Sequence, residues 1–355
     1  MADPVSSPRI GIVGLGGIGT YHADCLLDND ADLVAGLDID PAARDSFASE
    51  YDAEIYTDRS SFYEAVDAVI VTTPNAYHEE YAVGALKAGL SVLVEKPLAH
   101  TLESAERIAA VAESADGICL VGFHNRFDPR AEALAAYRND GFFGTIQHVD
   151  ATYVRRRGIP GQGSWFTDAD IAGGGALIDI GVHAIDLVLS IMDFPTVTEV
   201  SGVTRSTFGP RSDYVDVDGW GVENGDVSVE DSVTAQLRTD EDATVSVDVA
   251  WATNRPDEKA FRIRGTEGGA HLDMKGELTL YESTARGVDH HRTTTVETPE
   301  YDGHTAEQRA FLEAVERGEP PERNTVPQAL TVQRLIEAIY RSSSEGEAVE
   351  LRGSE

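Results

Sequence analysis

The sequence predicts an α/β domain built on a parallel sheet, followed by an α+β domain with a large, mostly antiparallel open sheet. Three observations carry this prediction. The chain has 355 residues, which suits two domains with cores of ordinary size. From Arg9 to about Asp140, short apolar runs alternate with helical patterns, the rhythm of strand–helix–strand units. After about residue 141 the runs instead alternate apolar with polar residues, as in a sheet with one covered face.

In the first domain, Arg9-Ile-Gly-Ile-Val-Gly14 reads as a strand and Gly17 to Asp28 as a helix. Asp32 to Asp38 is the next strand, and Pro41 starts a helix, where its fixed φ is suited to the first turn. Strands follow at Ala68–Thr72, Ser91–Val94 and Ile118–Val121, with helices near 76–88 and 101–114 between them. In the second domain, strand patterns occupy 147–155, 198–207, 231–238, 244–251, 260–264 and 277–281. Val245-Ser-Val-Asp-Val249 shows the alternation most clearly. Helices near 305–317 and 326–343 close the chain, and the Gly- and Asp-rich segment 209–228 reads as a long loop. The expected domains are 1–140 and 141–355, with the last helix able to pack back on the first domain.

Composition narrows the function. With 41% hydrophobic and 25% charged residues the chain is globular. It has 62 acidic and 28 basic residues and a formal charge of −34. Such a surface repels nucleic-acid phosphates and anionic lipid, so neither nucleic acid nor a membrane is an expected partner. The charge is spread evenly: residues 1–150 carry 25 acids and 9 bases, and residues 151–355 carry 37 and 19. Four residues are lysine (Lys87, Lys96, Lys259, Lys275) and 24 are arginine, a bias that resembles proteins of salt-loving organisms. Cys25 and Cys119 fall in helix and strand interiors and are expected to be buried free thiols. Met1 to Pro8 lacks the features of a signal peptide, and no stretch approaches 18 apolar residues. The expected location is the cytoplasm.

Gly14-Leu-Gly16-Gly17-Ile18-Gly19 matches G-x-G-x-x-G directly after the first strand. Gly14 permits the tight turn, Gly16 admits a pyrophosphate to the backbone, and Gly19 lets helix and strand pack closely. Gly17 and Ile18 supply backbone N–H groups at a helix N-terminus, which carries partial positive charge. Asp38 closes the second strand, 19 residues beyond Gly19, where a carboxylate can accept hydrogen bonds from both adenosine ribose hydroxyls. A 2′-phosphate about 4 Å away would be repelled by roughly 4 kcal/mol per unit charge at an effective dielectric near 20. The expected cofactor is therefore NAD rather than NADP.

Two further segments stand out: Val71-Thr-Thr73-Pro-Asn75-Ala-Tyr-His78 with Val94-Glu95-Lys96-Pro97, and Gly173-Gly-Gly-Ala-Leu-Ile-Asp179-Ile-Gly-Val-His183-Ala-Ile-Asp186. With them the chain resembles the Gfo/Idh/MocA family, which includes glucose–fructose oxidoreductase and inositol dehydrogenase, over nearly its whole length. The resemblance places the catalytic residues at Lys96, Asp179 and His183. The residue types agree with it: Lys96 ends a parallel strand, and Asp179 and His183 stand four apart on one helix face. A histidine is suited to moving a proton near neutral pH. Asp-x₃-His is too small a set for a metal site, so none is expected.

The resemblance further implies that Thr73, Asn75, His78 and Glu95 lie beside the nicotinamide and its ribose. Arg126, Tyr153, Arg155 and Trp165 become candidate substrate contacts from their place near the domain junction. His22 and the pair His290-His291 carry no assignable chemistry. The implied activity is hydride transfer between NAD and a hydroxyl of a sugar or cyclic polyol such as an inositol or aldose. The alternatives are reduction of another carbonyl (keto-sugar, nucleotide-sugar or dihydrodiol type) and a non-catalytic NAD-binding regulator. The implied assembly is a homo-oligomer, dimer or tetramer, through the second domain's sheet.

Overall fold

The computed structural model describes residues 7–217, 219–221 and 226–351. Most of the N-terminal stretch, read above as lacking a signal peptide, lies outside the described residues, as do parts of the 209–228 loop. The fold divides into two compact units. One comprises the chain up to His124 together with Asp302–Gln333; the other comprises Asn125–Tyr301 and the chain from Arg334 onward. The partition falls at 124/125 rather than at 140/141. The reason lies in the helix Pro129–Asn139, whose Arg138 Nη1 donates to the Ser190 carbonyl at 2.8 Å within the second unit.

The first unit holds a parallel six-stranded sheet of β1 (Arg9–Val13), β2 (Asp32–Leu37), β3 (Glu54–Tyr56), β4 (Ala68–Val71), β5 (Ser91–Glu95) and β6 (Cys119–Gly122). Its order is β3-β2-β1-β4-β5-β6. Strands covered on both faces must be apolar throughout, and Ala68-Val-Ile-Val71 is buried at every position. Ile10, Ile12, Leu33, Ala68, Ile70, Leu93 and Leu120 form the sheet's share of one core, with Ala23, Leu26, Phe47 and Phe311 packed on it. Phe311 comes from the helix Gly303–Arg317, which is tied to this unit by Asn29 Nδ2 donating to the Thr305 carbonyl at 2.8 Å. Cys25 is buried and Cys119 half-buried, and both are free thiols.

The second unit holds a nine-stranded sheet: β7 (Ile146–Val154), β8 (Val197–Arg205), β9 (Ser232–Thr239), β10 (Thr244–Ala250), β11 (Glu258–Gly265), β12 (Gly268–Asp273), β13 (Leu278–Thr284), β14 (His290–Val296) and β15 (Val349–Glu350). Its order is β14-β13-β12-β11-β7-β10-β9-β8-β15. Neighbours are antiparallel except β7 and β10, which run parallel. On β9, Val233, Ala235, Leu237 and Thr239 are buried while Thr234, Gln236 and Arg238 face outward, the alternation a one-sided sheet requires.

Contrary to the sequence expectation, the stretch Ala169–Ile191 is long and apolar enough to cross a membrane by length and composition. Since 89% of its apolar window is buried within the fold, it serves as a core segment of this unit.

Candidate active site

In the first unit, β1 and β4 are neighbours whose onward connections run to opposite sides of the sheet. A crevice opens between the loops at such a point. Gly14, at φ +92°, turns the chain out of β1. A Cβ on Gly19 would stand 2.0 Å from the Gly14 carbonyl oxygen, so the helix Gly17–Asp28 approaches β1 closely only with glycine there.

Gly16 and Gly17 differ, because a Cβ on either would meet nothing within 4 Å. Their bareness serves no packing inside the chain. It leaves backbone N–H groups open at the helix N-terminus, an arrangement that fits a pyrophosphate. Ile18 is 40% exposed in the same turn. Thr73 adds a second sign of a ligand: its Oγ1 is buried with no hydrogen-bond partner among the described residues. The neighbouring Thr72 hydroxyl donates to the Gly14 carbonyl at 2.6 Å.

Asp38 follows β2 directly. Its Oδ2 accepts from the Leu15 N–H at 2.6 Å and its Oδ1 from the Asp40 N–H at 2.8 Å, which fixes the carboxylate beside the glycine turn. Arg44 points Nη1 at the carbonyls of Asp38 and Ile39, at 2.9 and 3.0 Å. These residues fit a dinucleotide, with Asp38 placed for a ribose and Arg44 engaged by the backbone.

Asn75 is buried in the turn Asn75–Tyr77, and His78 opens the helix His78–Lys87. The His78 ring lies 2.8 Å through Nδ1 from the Pro97 carbonyl and 2.9 Å through Nε2 from that of Thr73. Burial pushes its pKa down. Both neighbours are carbonyl acceptors and the neutral ring has one N–H, so His78 donates to one of the two and packs between Thr73 and Pro97.

Glu95, the last residue of β5, is also buried. Its Oε2 accepts from the Lys96 N–H at 2.9 Å, and its Oε1 is 2.8 Å from His22 Nε2. Gln308 Nε2 approaches His22 Nδ1 at 2.7 Å, so Nδ1 accepts and Nε2–H donates to Glu95. Burial pushes the Glu95 carboxyl up, but the His22 hydrogen bond and the nearby Lys96 ammonium outweigh it and hold it well below the usual range. His304 lies edge-on to His22 and stacks on His124, with centroids 5.6 and 3.8 Å apart. His22, without assignable chemistry from its sequence surroundings, thus fixes a carboxylate that holds the main chain at Lys96. Lys96 itself is half-buried, and the Lys96–Pro97 peptide is cis.

The second unit carries Asp179 on the π-turn Leu177–Gly181 and buried His183 on the helix Val182–Ile191. Asp179 Oδ2 accepts from the Trp251 indole N–H at 2.9 Å. The glycine run before it has a packing reason. A Cβ on Gly174 would lie 2.0 Å from the Tyr340 hydroxyl, and one on Gly175 would lie 1.9 Å from the Glu230 carbonyl oxygen. The Glu230 carboxylate accepts the Gly175 and Leu177 N–H groups, each at 2.9 Å, and the Tyr340 hydroxyl at 3.0 Å. It therefore satisfies the open amides where the Asp179 turn begins. Burial pushes the Glu230 carboxyl up in spite of these donors. Trp251, Glu230 and Tyr340 have no local sequence signature.

The candidate substrate contacts divide. Arg126 is buried and paired through Nε and Nη2 with the Asp186 carboxylate, with Nε at 2.9 Å, so it is a core ion pair and not a substrate contact. Trp165 stacks on Phe166 with centroids 3.8 Å apart. Tyr153 and Arg155 line one cavity with Lys259, and Trp165 is not part of it. Among the described residues, no group of three or more His, Cys, Asp or Glu side chains is placed to hold a metal ion.

Comparison with known proteins identifies both parts of the chain. Residues 8–123 match the family model described as oxidoreductase family, NAD-binding Rossmann fold, and residues 132–271 match the GFO/IDH/MocA C-terminal domain. The chain is 30% identical to D-glucoside 3-dehydrogenase of Escherichia coli (strain K12) over 98% of both chains. It is 25% identical to inositol 2-dehydrogenase of Rhizobium meliloti (strain 1021), over 95% of this chain and 97% of that protein. Among solved structures, an oxidoreductase domain protein from Kribbella flavida superposes with a TM-score of 0.85 at 27% identity, covering 98% of this chain and all of the other.

Proposed function

The chain belongs to the Gfo/Idh/MocA oxidoreductase family, and from that premise we propose that it is an NAD-dependent dehydrogenase of a sugar or cyclic polyol. The reading is supported by the groups around Lys96, Asp179 and His183, where the resemblance puts the reacting residues. Lys96 follows β5 on a main chain fixed by Glu95, and Asp179 and His183 sit on a turn fixed by Glu230 and Tyr340. Bound NAD supplies the hydride acceptor. In the oxidative direction His183 removes the hydroxyl proton, and the Lys96 ammonium stabilises the developing oxyanion. Asp179, held by Trp251, orients His183 or the substrate hydroxyl. Reduction of a keto-sugar uses the same groups in reverse.

NAD is preferred over NADP because the fixed Asp38 carboxylate stands where a 2′-phosphate would be repelled, while Arg44 is turned to backbone carbonyls. The acid excess and arginine bias support a salt-rich cytoplasm as the setting. The outward face of the second unit's sheet supports homo-oligomerisation. It forms an open groove of about 580 Å³ bordered by Ser201, Val203, Thr234 and Gln236, with Val203 49% exposed.

The test is a screen of inositols, aldoses and sugar alcohols with NAD and NADP in molar KCl, read by nicotinamide absorbance. Turnover with NAD that collapses in His183→Ala is expected. A variant as fast as the parent would overturn the mechanism.

A further inference from the structure

His22 and Gln308 are fully buried in the first unit, on the helices Gly17–Asp28 and Gly303–Arg317. Gln308 Nε2 lies 2.7 Å from His22 Nδ1 and 3.0 Å from the His22 carbonyl oxygen. A carbonyl can only accept, so the amide is held with its nitrogen toward His22, one hydrogen on the carbonyl and one on Nδ1. Nδ1 therefore accepts, and the ring's single proton sits on Nε2, 2.8 Å from Glu95 Oε1. This arrangement has a standing cost: Gln308 Oε1 is buried with no hydrogen-bond partner among the described residues. A carboxylate at the same position would instead accept from Nδ1–H and draw a second proton onto the ring. In a chain with 62 acidic residues, an amide here keeps His22 neutral.

The other titratable groups around His22 leave its two nitrogens to Gln308 and Glu95. The Tyr21 hydroxyl and the Cys25 thiol both turn to Asp302, the thiol at 3.9 Å. His304 lies edge-on to the ring and stacks on His124. Burial pushes the His304 imidazole down in spite of the Glu95 carboxylate.

Glu95 thus keeps its negative charge beside a neutral hydrogen-bond donor. Its other oxygen accepts the Lys96 N–H at 2.9 Å. Gly122, on the neighbouring β6, leaves room for it, since a Cβ there would stand 3.2 Å from Glu95 Oε2. In an open parallel sheet a dinucleotide lies across the carboxyl ends of the strands, on both sides of the point between β1 and β4. Asp38 follows β2, so the adenosine half falls on that side and the nicotinamide half over β4 and β5. Glu95 ends β5, and the Thr73 hydroxyl after β4 is buried without a partner among the described residues. The nicotinamide ring is cationic in NAD and neutral in NADH, and the Lys96 ammonium brings a second cation to this end of the sheet.

We propose that Gln308 is a positioning residue that holds His22 neutral, and that the negative charge thereby kept on Glu95 makes the site bind NAD in preference to NADH. This rests on the NAD reading above and adds a redox preference to it. An imidazolium at His22 would offset the carboxylate at hydrogen-bond distance. In a buried setting of low effective dielectric, an unoffset carboxylate acts on a cationic ring more strongly than it would in water. The cofactor is then held in the form that accepts hydride and loosened once reduced.

Two measurements on the full chain test this. The first is nitrogen NMR on protein with isotope-labelled histidine, the His22 resonances being assigned by their loss in His22→Gln. The parent should show a neutral ring protonated on Nε2 at pH 7, and Gln308→Glu a doubly protonated one. The second is calorimetric titration with NAD and with NADH, which gives the ratio of Kd for NADH to Kd for NAD, circular dichroism checking the fold of each variant. Glu95→Gln keeps an oxygen for the His22 N–H but removes the charge, and should lower that ratio by about tenfold or more. Gln308→Glu should move the ratio the same way, as should Gln308→Met, which adds no buried charge and serves if Gln308→Glu does not fold. A purely structural Gln308 would weaken both forms alike and leave the ratio where it was. An imidazolium at His22 in the parent, or a ratio unchanged in Glu95→Gln or in the folded Gln308 variants, overturns the proposal. Both forms bound with no change of ratio in any variant would defeat this inference alone, whereas a parent that binds neither form would defeat the NAD reading itself.

Discussion

Two glycines in this chain are bare for opposite reasons, and alanine at each separates packing from ligand approach. At Gly175 a Cβ would lie 1.9 Å from the Glu230 carbonyl oxygen, about 1.5 Å short of the 3.4 Å at which ordinary contact begins. The obstacle is backbone, so either the turn leading to Asp179 or the segment at Glu230 must move. Overpacking of this kind costs about 1–3 kcal/mol of stability, and a displacement of about 1 Å at reacting groups costs about 100-fold in rate. Gly175→Ala should therefore lower the melting temperature and cut kcat by about two orders of magnitude. NADH affinity should stay, because the glycine turn belongs to the other unit. At Gly16 a Cβ meets nothing, so Gly16→Ala should leave the melting temperature unchanged and weaken NADH binding. Paired measurements of melting, NADH titration and kcat read both variants. A Gly175→Ala enzyme with parental kcat, or a Gly16→Ala enzyme with parental NADH affinity, would refute the reasoning.

Three further outcomes follow from the same geometry. Asp38→Asn keeps an acceptor for the Leu15 N–H but removes the charge, so the ratio of kcat/KM for NADP to that for NAD should rise by about tenfold or more; an unchanged ratio would sink the ribose assignment. Trp251→Phe removes the indole donor to Asp179, and hydrogen bonds to charged groups are worth about 1.5–3 kcal/mol; urea unfolding should show that loss, and kcat should fall more than KM changes. The Glu95 carboxyl is held below its ordinary value, so the stability it contributes is full above the ordinary carboxylate pKa of about 4.3 and is lost as pH falls toward the depressed value. His22→Leu removes that buried hydrogen bond to a charged carboxylate at a cost of about 1.5–3 kcal/mol near pH 7, and urea titrations at pH 7 and pH 4 should show the gap to the parent narrowing in acid.

The parallel sheet was legible because strands buried on both faces are apolar runs bounded by glycine, proline and aspartate, as at Ala68–Val71 and Ser91–Glu95. β3 escaped notice because three residues carry no periodicity, and β12 because it opens on Gly268-Gly269. β14 escaped because its residues are almost all exposed and follow no alternation. The glycine turn, Asp38 and Lys96 could be read because each follows a strand end within a few residues. The supporting groups could not, because their partners are distant in sequence. Glu230 reaches Gly175 across 55 positions, Tyr340 reaches Glu230 across 110, and His22 reaches Glu95 across 73. The same distance misled the reading of Arg126, whose partner Asp186 lies 60 residues on and keeps it in the core. No pattern within one segment marks a basic side chain as spent on an ion pair elsewhere.

In the proposed mechanism Lys96, Asp179 and His183 each serve hydride transfer to NAD. Stopped-flow nicotinamide absorbance on Lys96→Met, Asp179→Asn, His183→Ala and the triple variant tests it most directly, with NADH titration confirming cofactor binding in each. Each single change should lower the rate of hydride transfer by about 100-fold or more, and the loss in the triple variant should fall well short of the product of the three. A single variant that transfers hydride at the parental rate while binding NADH normally would contradict it.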